Sequence, residues 1–149
     1  MPTYPCAWFC DVCGEQVTNP EEGFVSWRAD QNNQAHGFMI VHKIKCDDDH
    51  RQPAGQALRD LLGPEGLTRL VSFLSVGPLQ ADVDHPTCPS VANIDEFVDL
   101  IRRVQIPSYE EARRHFANAG VHHAMSGSNE YFPYLPKTLK QIADGEFDD

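Results

Sequence analysis

The chain has no apolar run of the roughly 18–20 residues that a bilayer-crossing helix needs, so a membrane-spanning role is excluded. It is poor in basic residues, with 12 Lys and Arg against 22 Asp and Glu, and the basic residues form no cluster along the chain. The resulting formal net charge of −10 repels phosphate backbones, which disfavours nucleic acid and favours a protein partner, a basic one in particular. The opening residues Met1 to Cys6 lack the basic and apolar regions of a secretory leader, so a reducing cytoplasm is the expected compartment. There is no phosphate-binding glycine loop, dinucleotide fingerprint or Ser/His/Asp arrangement. An enzyme is therefore the less favoured class. No internal repeat is visible either.

What the chain does have is cysteine in a telling arrangement. Five cysteines stand at positions 6, 10, 13, 46 and 88, an odd number, with three in the first thirteen residues. An odd count in a cytoplasmic chain does not make a disulfide framework, and thiols under reducing conditions read better as metal ligands. Cys10-Asp11-Val12-Cys13-Gly14 is the strongest signal. Two thiolates separated by two residues can wrap one tetrahedral ion, and the following glycine admits the positive φ of a tight turn. A redox dithiol would need a helix after the motif, whereas Val17-Thr18-Asn19-Pro20 follows here.

Two more ligands are required, and the candidates are His42, Cys46 and His50. Four residues of extended strand span about 13 Å, which would keep His42 and Cys46 apart unless the chain turns at Lys43-Ile44-Lys45. Cys46 and His50 flank Asp47-Asp48-Asp49, good turn or helix-start sequence, and residues four apart on a helix face the same way. The expected set is therefore Cys10, Cys13, Cys46 and His50 around a structural Zn²⁺, with His42 as the alternative ligand or as a residue supporting a ligand from behind.

The knuckle, a hairpin and a ligand pair near a helix start together resemble the treble-clef and zinc-ribbon modules. The resemblance covers the first third of the chain. It implies bound zinc and is silent on function, because such modules serve many roles.

Hydrophobic patterning supplies the rest of the expected architecture. Phe24 to Arg28 and Phe38 to Ile44 read as two strands around a polar loop, with Phe38, Ile40, His42 and Ile44 on one face. After Pro53 the pattern becomes helical: Leu58, Leu61 and Leu62, then Leu67, Leu70, Val71 and Leu74, ended by Gly77-Pro78. Residues 77–92 read as a loop. Asn93 with Glu96, and Ser108 with Glu111, have capping-box spacing. They introduce stripes at Ile94, Phe97, Val98 and Ile101, and at Tyr109, Ala112, Phe116 and Ala119. A last helix is expected over Lys137 to Ala143, before a frayed acidic tail from Gly145. The fold class is thus α+β: a zinc-bound hairpin module over 1–52, packed on a body of about five short helices over 53–149, together one compact domain.

Weaker groupings are read as structural. Asp84-His85-Pro86 with Cys88 lies in a proline-rich loop, His115, His122 and His123 form a polar helix end, and Asp47 to Asp49 are solvated caps. The role of Cys6 is left open. The leading function is a zinc-stabilised protein-interaction module, an adaptor or regulator, with Tyr131-Phe132-Pro133-Tyr134 as an aromatic loop for contact. The alternatives are nucleic-acid binding through Trp8, Trp27, Arg28, Lys43 and Lys45, and a zinc hydrolase using an open metal position beside the Asp run.

Overall fold

A computed structural model describes residues 5–47, 54–80 and 90–149 of the chain. The fold is mixed α+β, with two small antiparallel sheets and five α-helices among the described residues. The first sheet is a hairpin of β1 (Trp8–Phe9) and β2 (Gln16–Val17), and its turn is the Cys10–Cys13 knuckle. The second has the order β4-β3-β5, formed by β3 (Gly23–Ala29), β4 (Ala35–His42) and β5 (Ala54–Ala57). The expected hairpin is present, with Gly23 opposite His42 and Phe24 opposite Val41.

β5 is a correction to the sequence reading, which placed helix from residue 54. Ala54 to Ala57 pair with Trp27 to Phe24, because Gly55 leaves room for the Phe24 ring where any side chain would collide. The Leu58 to Leu61 stripe that follows is a 3₁₀ turn rather than an α-helix, and it buries Leu58 and Leu61. α1 (Gly63–Val71) ends before the predicted Gly77-Pro78 stop. Of its expected stripe only Leu70 is buried, while Leu67 and Val71 lie exposed. Residues 81–89, the centre of the predicted loop, lie outside the described residues.

α2 (Ile94–Gln105) starts where expected, with the Asn93 side chain accepting from the Glu96 backbone N–H. Its buried face is Phe97, Leu100, Arg103 and Val104; of the predicted stripe through Ile94, Phe97, Val98 and Ile101, Phe97 is buried and Ile101 packs partly buried against the core. Ile94 is exposed. The Glu96 carboxylate does not close a capping box. It crosses to β4 and accepts from the backbone N–H groups of Gly37 and Phe38. The β3–β4 register is irregular between Ser26 and Arg28, and Gly37 there takes φ 68°, which a glycine adopts without steric cost. Glu96 thus satisfies donors at the place where the ladder is interrupted.

α3 (Tyr109–Arg113), α4 (Ala119–Met125) and α5 (Pro136–Ala143) complete the chain. Ser108 precedes α3 at φ 68° and makes no side-chain cap bond, so the predicted capping box is absent there. Asn118 caps α4 instead, accepting from Gly120 N–H at 2.8 Å. The expected frayed tail is docked. His115 Nδ1 lies 2.8 Å from Asp148 Oδ2, and Phe147 packs against the apolar residues of α3 to α5.

Two clusters of buried residues result. The larger joins Trp8, Val17, Val25 and Ile40 to Leu58, Leu61, Leu70, Phe97, Leu100 and Val104, so it draws on both sides of residue 52. Trp27, Phe38, Phe73 and Phe97 stack through it with ring centroids 5.2–6.3 Å apart. The smaller gathers Tyr109, Ala112, Val121, Leu139 and Ile142 under Phe116, Tyr134 and Phe147.

Candidate metal centre

Local backbone geometry brings the ligands together. Cys10 N–H donates to Glu15 O and Gly14 N–H to Cys10 O, each at 2.9 Å, closing the knuckle while Gly14 takes φ 76°. The Val12 N–H points at Cys10 Sγ from 3.4 Å. On the other side, β4 ends at His42 and the chain folds back at once. Cys46 N–H and Asp47 N–H both reach the His42 carbonyl at 3.2 Å. This is the turn at Lys43-Ile44-Lys45 that turn propensity argued against. It brings the side chains of His42 and Cys46 together instead of leaving them a strand's length apart.

Cys10, Cys13, His42 and Cys46 therefore form one cluster, with their ligand atoms all within 4.8 Å of one another. His42 Nδ1 lies 3.4 Å from Cys13 Sγ and 3.7 Å from Cys46 Sγ. Its other ring nitrogen, Nε2, lies 3.3 Å from the Gln16 carbonyl. A proton on Nε2, donated to that carbonyl, leaves the Nδ1 lone pair for a metal. Cys10 and Cys46 are buried, while Cys13 is exposed.

The environment orders the proton losses. Burial opposes ionisation of Cys10, but the Cys13 and Val12 backbone N–H groups and the His42 contact outweigh it, and the thiol is lowered to about 6. Burial and the neighbouring Cys10 and Cys13 sulfurs push Cys46 up to about 11. A divalent cation placed among these sulfurs would expel the remaining protons, since metal ligation requires thiolates. The arrangement can thus hold a metal ion with four protein donors.

Of the expected ligands, Cys10, Cys13 and Cys46 are in the cluster together with the alternative, His42. His50, the first-choice fourth ligand, lies outside the described residues, as do Asp48, Asp49, Asp84, His85 and Cys88. Cys6 is exposed. His122 and His123 are exposed in α4, and His115 is engaged with Asp148. Trp8, an expected stacking residue, is fully buried with its indole N–H donating to the Arg103 carbonyl, and Trp27 is part of the aromatic core. Lys45 is paired with Glu15 at 2.5 Å.

The sequence reading missed the charged residues that back the knuckle. Arg103 is 3% exposed and Glu110 1%, and both carboxylate oxygens of Glu110 accept from Arg103. A third bond runs from Arg103 Nη1 to Asp11, inside the knuckle itself, at 2.7 Å. A signal was present: Arg103 stands three residues after Leu100 and six after Phe97, on the inward face of the helix.

No protein-family model, curated protein or solved structure matches this chain. Among the described residues no helix is long and apolar enough to cross a membrane.

Proposed function

We propose that the chain is a zinc-stabilised protein-interaction module, an adaptor or regulator whose metal is structural. The observation that carries this reading is the convergence of four protein donors, three sulfurs and one imidazole nitrogen, on one point. Three soft thiolates with one imidazole favour zinc over oxygen-seeking ions such as magnesium. A tetrahedron with Zn–S of about 2.3 Å and Zn–N of about 2.0–2.1 Å has edges of about 3.5–3.8 Å. The His42 separations of 3.4 and 3.7 Å agree with it. Four protein donors fill a tetrahedral ion, whereas a hydrolytic zinc keeps a position for water. That favours a structural ion over a hydrolase.

The knuckle, hairpin and turn support the likeness to a treble-clef or zinc-ribbon module. The last ligand pair, however, sits at the end of β4 and in its turn. The interaction role rests on surface chemistry. Tyr131, Phe132 and Leu135 are exposed, beside a largely apolar groove of about 180 Å³ lined by Phe116, Val121, His122, Met125, Pro133, Tyr134 and Ile142. With a net charge of −10, a basic partner would be drawn in quickly and in a salt-sensitive way. Burial of Trp8, in turn, removes a stacking residue from the nucleic-acid reading.

Elemental analysis of the purified protein tests the metal, with one zinc per chain expected. Affinity capture by wild type and by a Tyr131→Ser/Phe132→Ser variant, at low and high salt, tests the role. A partner retained by wild type and lost by the variant is expected. Stoichiometric zinc with identical capture by both would leave the site standing and remove the aromatic face.

A further inference from the structure

Arg103 is placed where an arginine is costly, on the buried face of α2, and every contact it makes leads toward the metal knuckle or its support. Nε and Nη2 hold Glu110 at 2.8 and 2.7 Å, Nη2 also reaches the Phe9 carbonyl at 3.2 Å, and Nη1 holds Asp11 Oδ2 at 2.7 Å. Asp11 stands between Cys10 and Cys13. Its backbone N–H donates to Ile40 O, and its Oδ2 accepts from Ile40 N–H, both at 2.8 Å. Ile40 lies two residues before His42 on β4. One carboxylate therefore fixes the turn that carries two ligands against the strand that carries a third. One guanidinium aims that carboxylate.

The strand leading into the knuckle is held from the same place. Trp8 Nε1 donates to the Arg103 carbonyl at 3.1 Å, and Phe9 N–H donates to Glu110 Oε1 at 3.0 Å. Glu110, 1% exposed, is aimed at the guanidinium by α3. The support is thus built from α2 and α3, and its bonds to Asp11 and Phe9 reach across 92 and 101 residues of the chain.

We infer that Arg103 is a positioning residue for the metal centre. Through Asp11 it holds the Cys10–Cys13 knuckle at the distance from His42 that the ion requires, so the ligand set stands assembled before metal arrives. The inference rests on the reading of Cys10, Cys13, His42 and Cys46 as a metal site. Its physical content is preorganisation. A knuckle ordered only by its ion draws on the binding free energy for folding, and one already held in place does not. Asp11 then acts as an outer-sphere residue, and such residues typically set metal affinity by about 10–100-fold.

The test is competition between the full-length protein and a chromophoric chelator for zinc, run on wild type, Asp11→Asn and the double variant Arg103→Met/Glu110→Leu. Asp11→Asn keeps the side chain's shape and removes its charge. The double variant replaces the buried ion pair by apolar side chains of similar volume, a change that cores accept, and leaves Asp11 without its arginine. Both are expected to bind one zinc about 10–100-fold more weakly than wild type. Their cobalt forms should keep the wild-type thiolate charge-transfer band, because no ligand has changed. Zinc affinity within about twofold of wild type in both variants, even with a lowered melting temperature of the chelated protein, would make Arg103 merely structural and overturn the inference. A wild type that takes up no zinc would sink the metal reading itself, an outcome distinct from zinc-binding variants of unchanged affinity.

Discussion

The two buried clusters of this protein are built by different means. The larger joins a two-residue-per-strand hairpin, a three-stranded sheet, a 3₁₀ turn and two helices, and its partners are far apart in sequence. Trp8 reaches Arg103, Asp11 reaches Ile40 and Arg103, and Glu96 reaches Gly37. The smaller is assembled from three short helices and the tail that follows them, all within residues 106–147. Short-range closure is entropically cheap, whereas long-range closure must be offset by strong local ties. The larger cluster has two such ties at its hairpin end: the Cys/His site and the Arg103 ion-pair network. The smaller uses a helix cap and a docked terminus. The lesson is that the Cys/His cluster and the buried charge sit where the secondary structure is too short to hold itself, since a lone hairpin is marginal in water.

The largest expected effect strikes that asymmetry directly. Cys10→Ser, Cys13→Ser or Cys46→Ser should each release the metal, and His42→Ala should do the same. Metal binding contributes on the order of 10 kcal/mol in small zinc modules, so the loss is felt as folding free energy. Hydrogen exchange should show protection lost over residues 8–17 and 40–47, while α5 amides keep theirs. Acidification should act in the same direction, because Cys10, lowered to about 6 before metal enters, and Cys46, raised to about 11, must both be deprotonated for the ion to stay. Equal loss of protection in α5 would mean that the two clusters fold as one unit.

The second effect runs the other way. Leu139 is fully buried in the smaller cluster, and Leu139→Ala should destabilise by about 2–5 kcal/mol through the cavity it opens. Zinc content, measured on the same preparation, should remain one per chain. Phe97→Ala, in the larger cluster, is expected to cost about 3–5 kcal/mol and to weaken metal retention as well. If Leu139→Ala also released the metal, the contrast between the clusters would fail.

Much of this was legible in the sequence, and the rest was hidden for identifiable reasons. The knuckle, the hairpin, the Asn93 cap and the last helix follow from local rules that need no partner. Ala54 to Ala57 was hidden because its strand character comes from pairing with β3, not from its own propensity. The first-choice fourth ligand, His50, lies outside the described residues, and the alternative, His42, joins the cluster through a turn at Lys43-Ile44-Lys45 that turn propensity disfavours. Hydrogen bonds from the Cys46 and Asp47 N–H groups to the His42 carbonyl override that propensity. The buried face of α2 was legible only in part, because two stripes overlap in Ile94 to Gln105: Phe97 is common to both, while Leu100, Arg103 and Val104 belong to the observed one. The observed one is chosen by Arg103, whose partners lie in distant segments. The tail looked frayed because its composition is acidic, yet one acid has a histidine waiting for it.

The smallest effect tests how the compact cluster is finished. Asp148 faces His115 Nδ1 at 2.8 Å, Asp149 N–H reaches Asn118 Oδ1 at 3.3 Å, and Phe147 packs on the cluster below. Asp148 is one-third exposed and His115 about one-quarter, so solvent screens the pair, and pairs of this kind contribute about 0.2–1 kcal/mol. Phe147, by contrast, removes apolar surface from water, and partial burial of such a ring is worth more than a screened pair. Asp148→Ala should therefore lower the chemical-denaturation midpoint only slightly, and, at a pH acid enough to charge an imidazole, the more so at low salt. Phe147→Ala should lower it further and independently of salt. The pair thus separates two accounts of the terminus, one in which charge holds it down and one in which apolar packing does. A larger loss from Asp148→Ala than from Phe147→Ala would show that the smaller cluster, like the larger, depends on a charged tie.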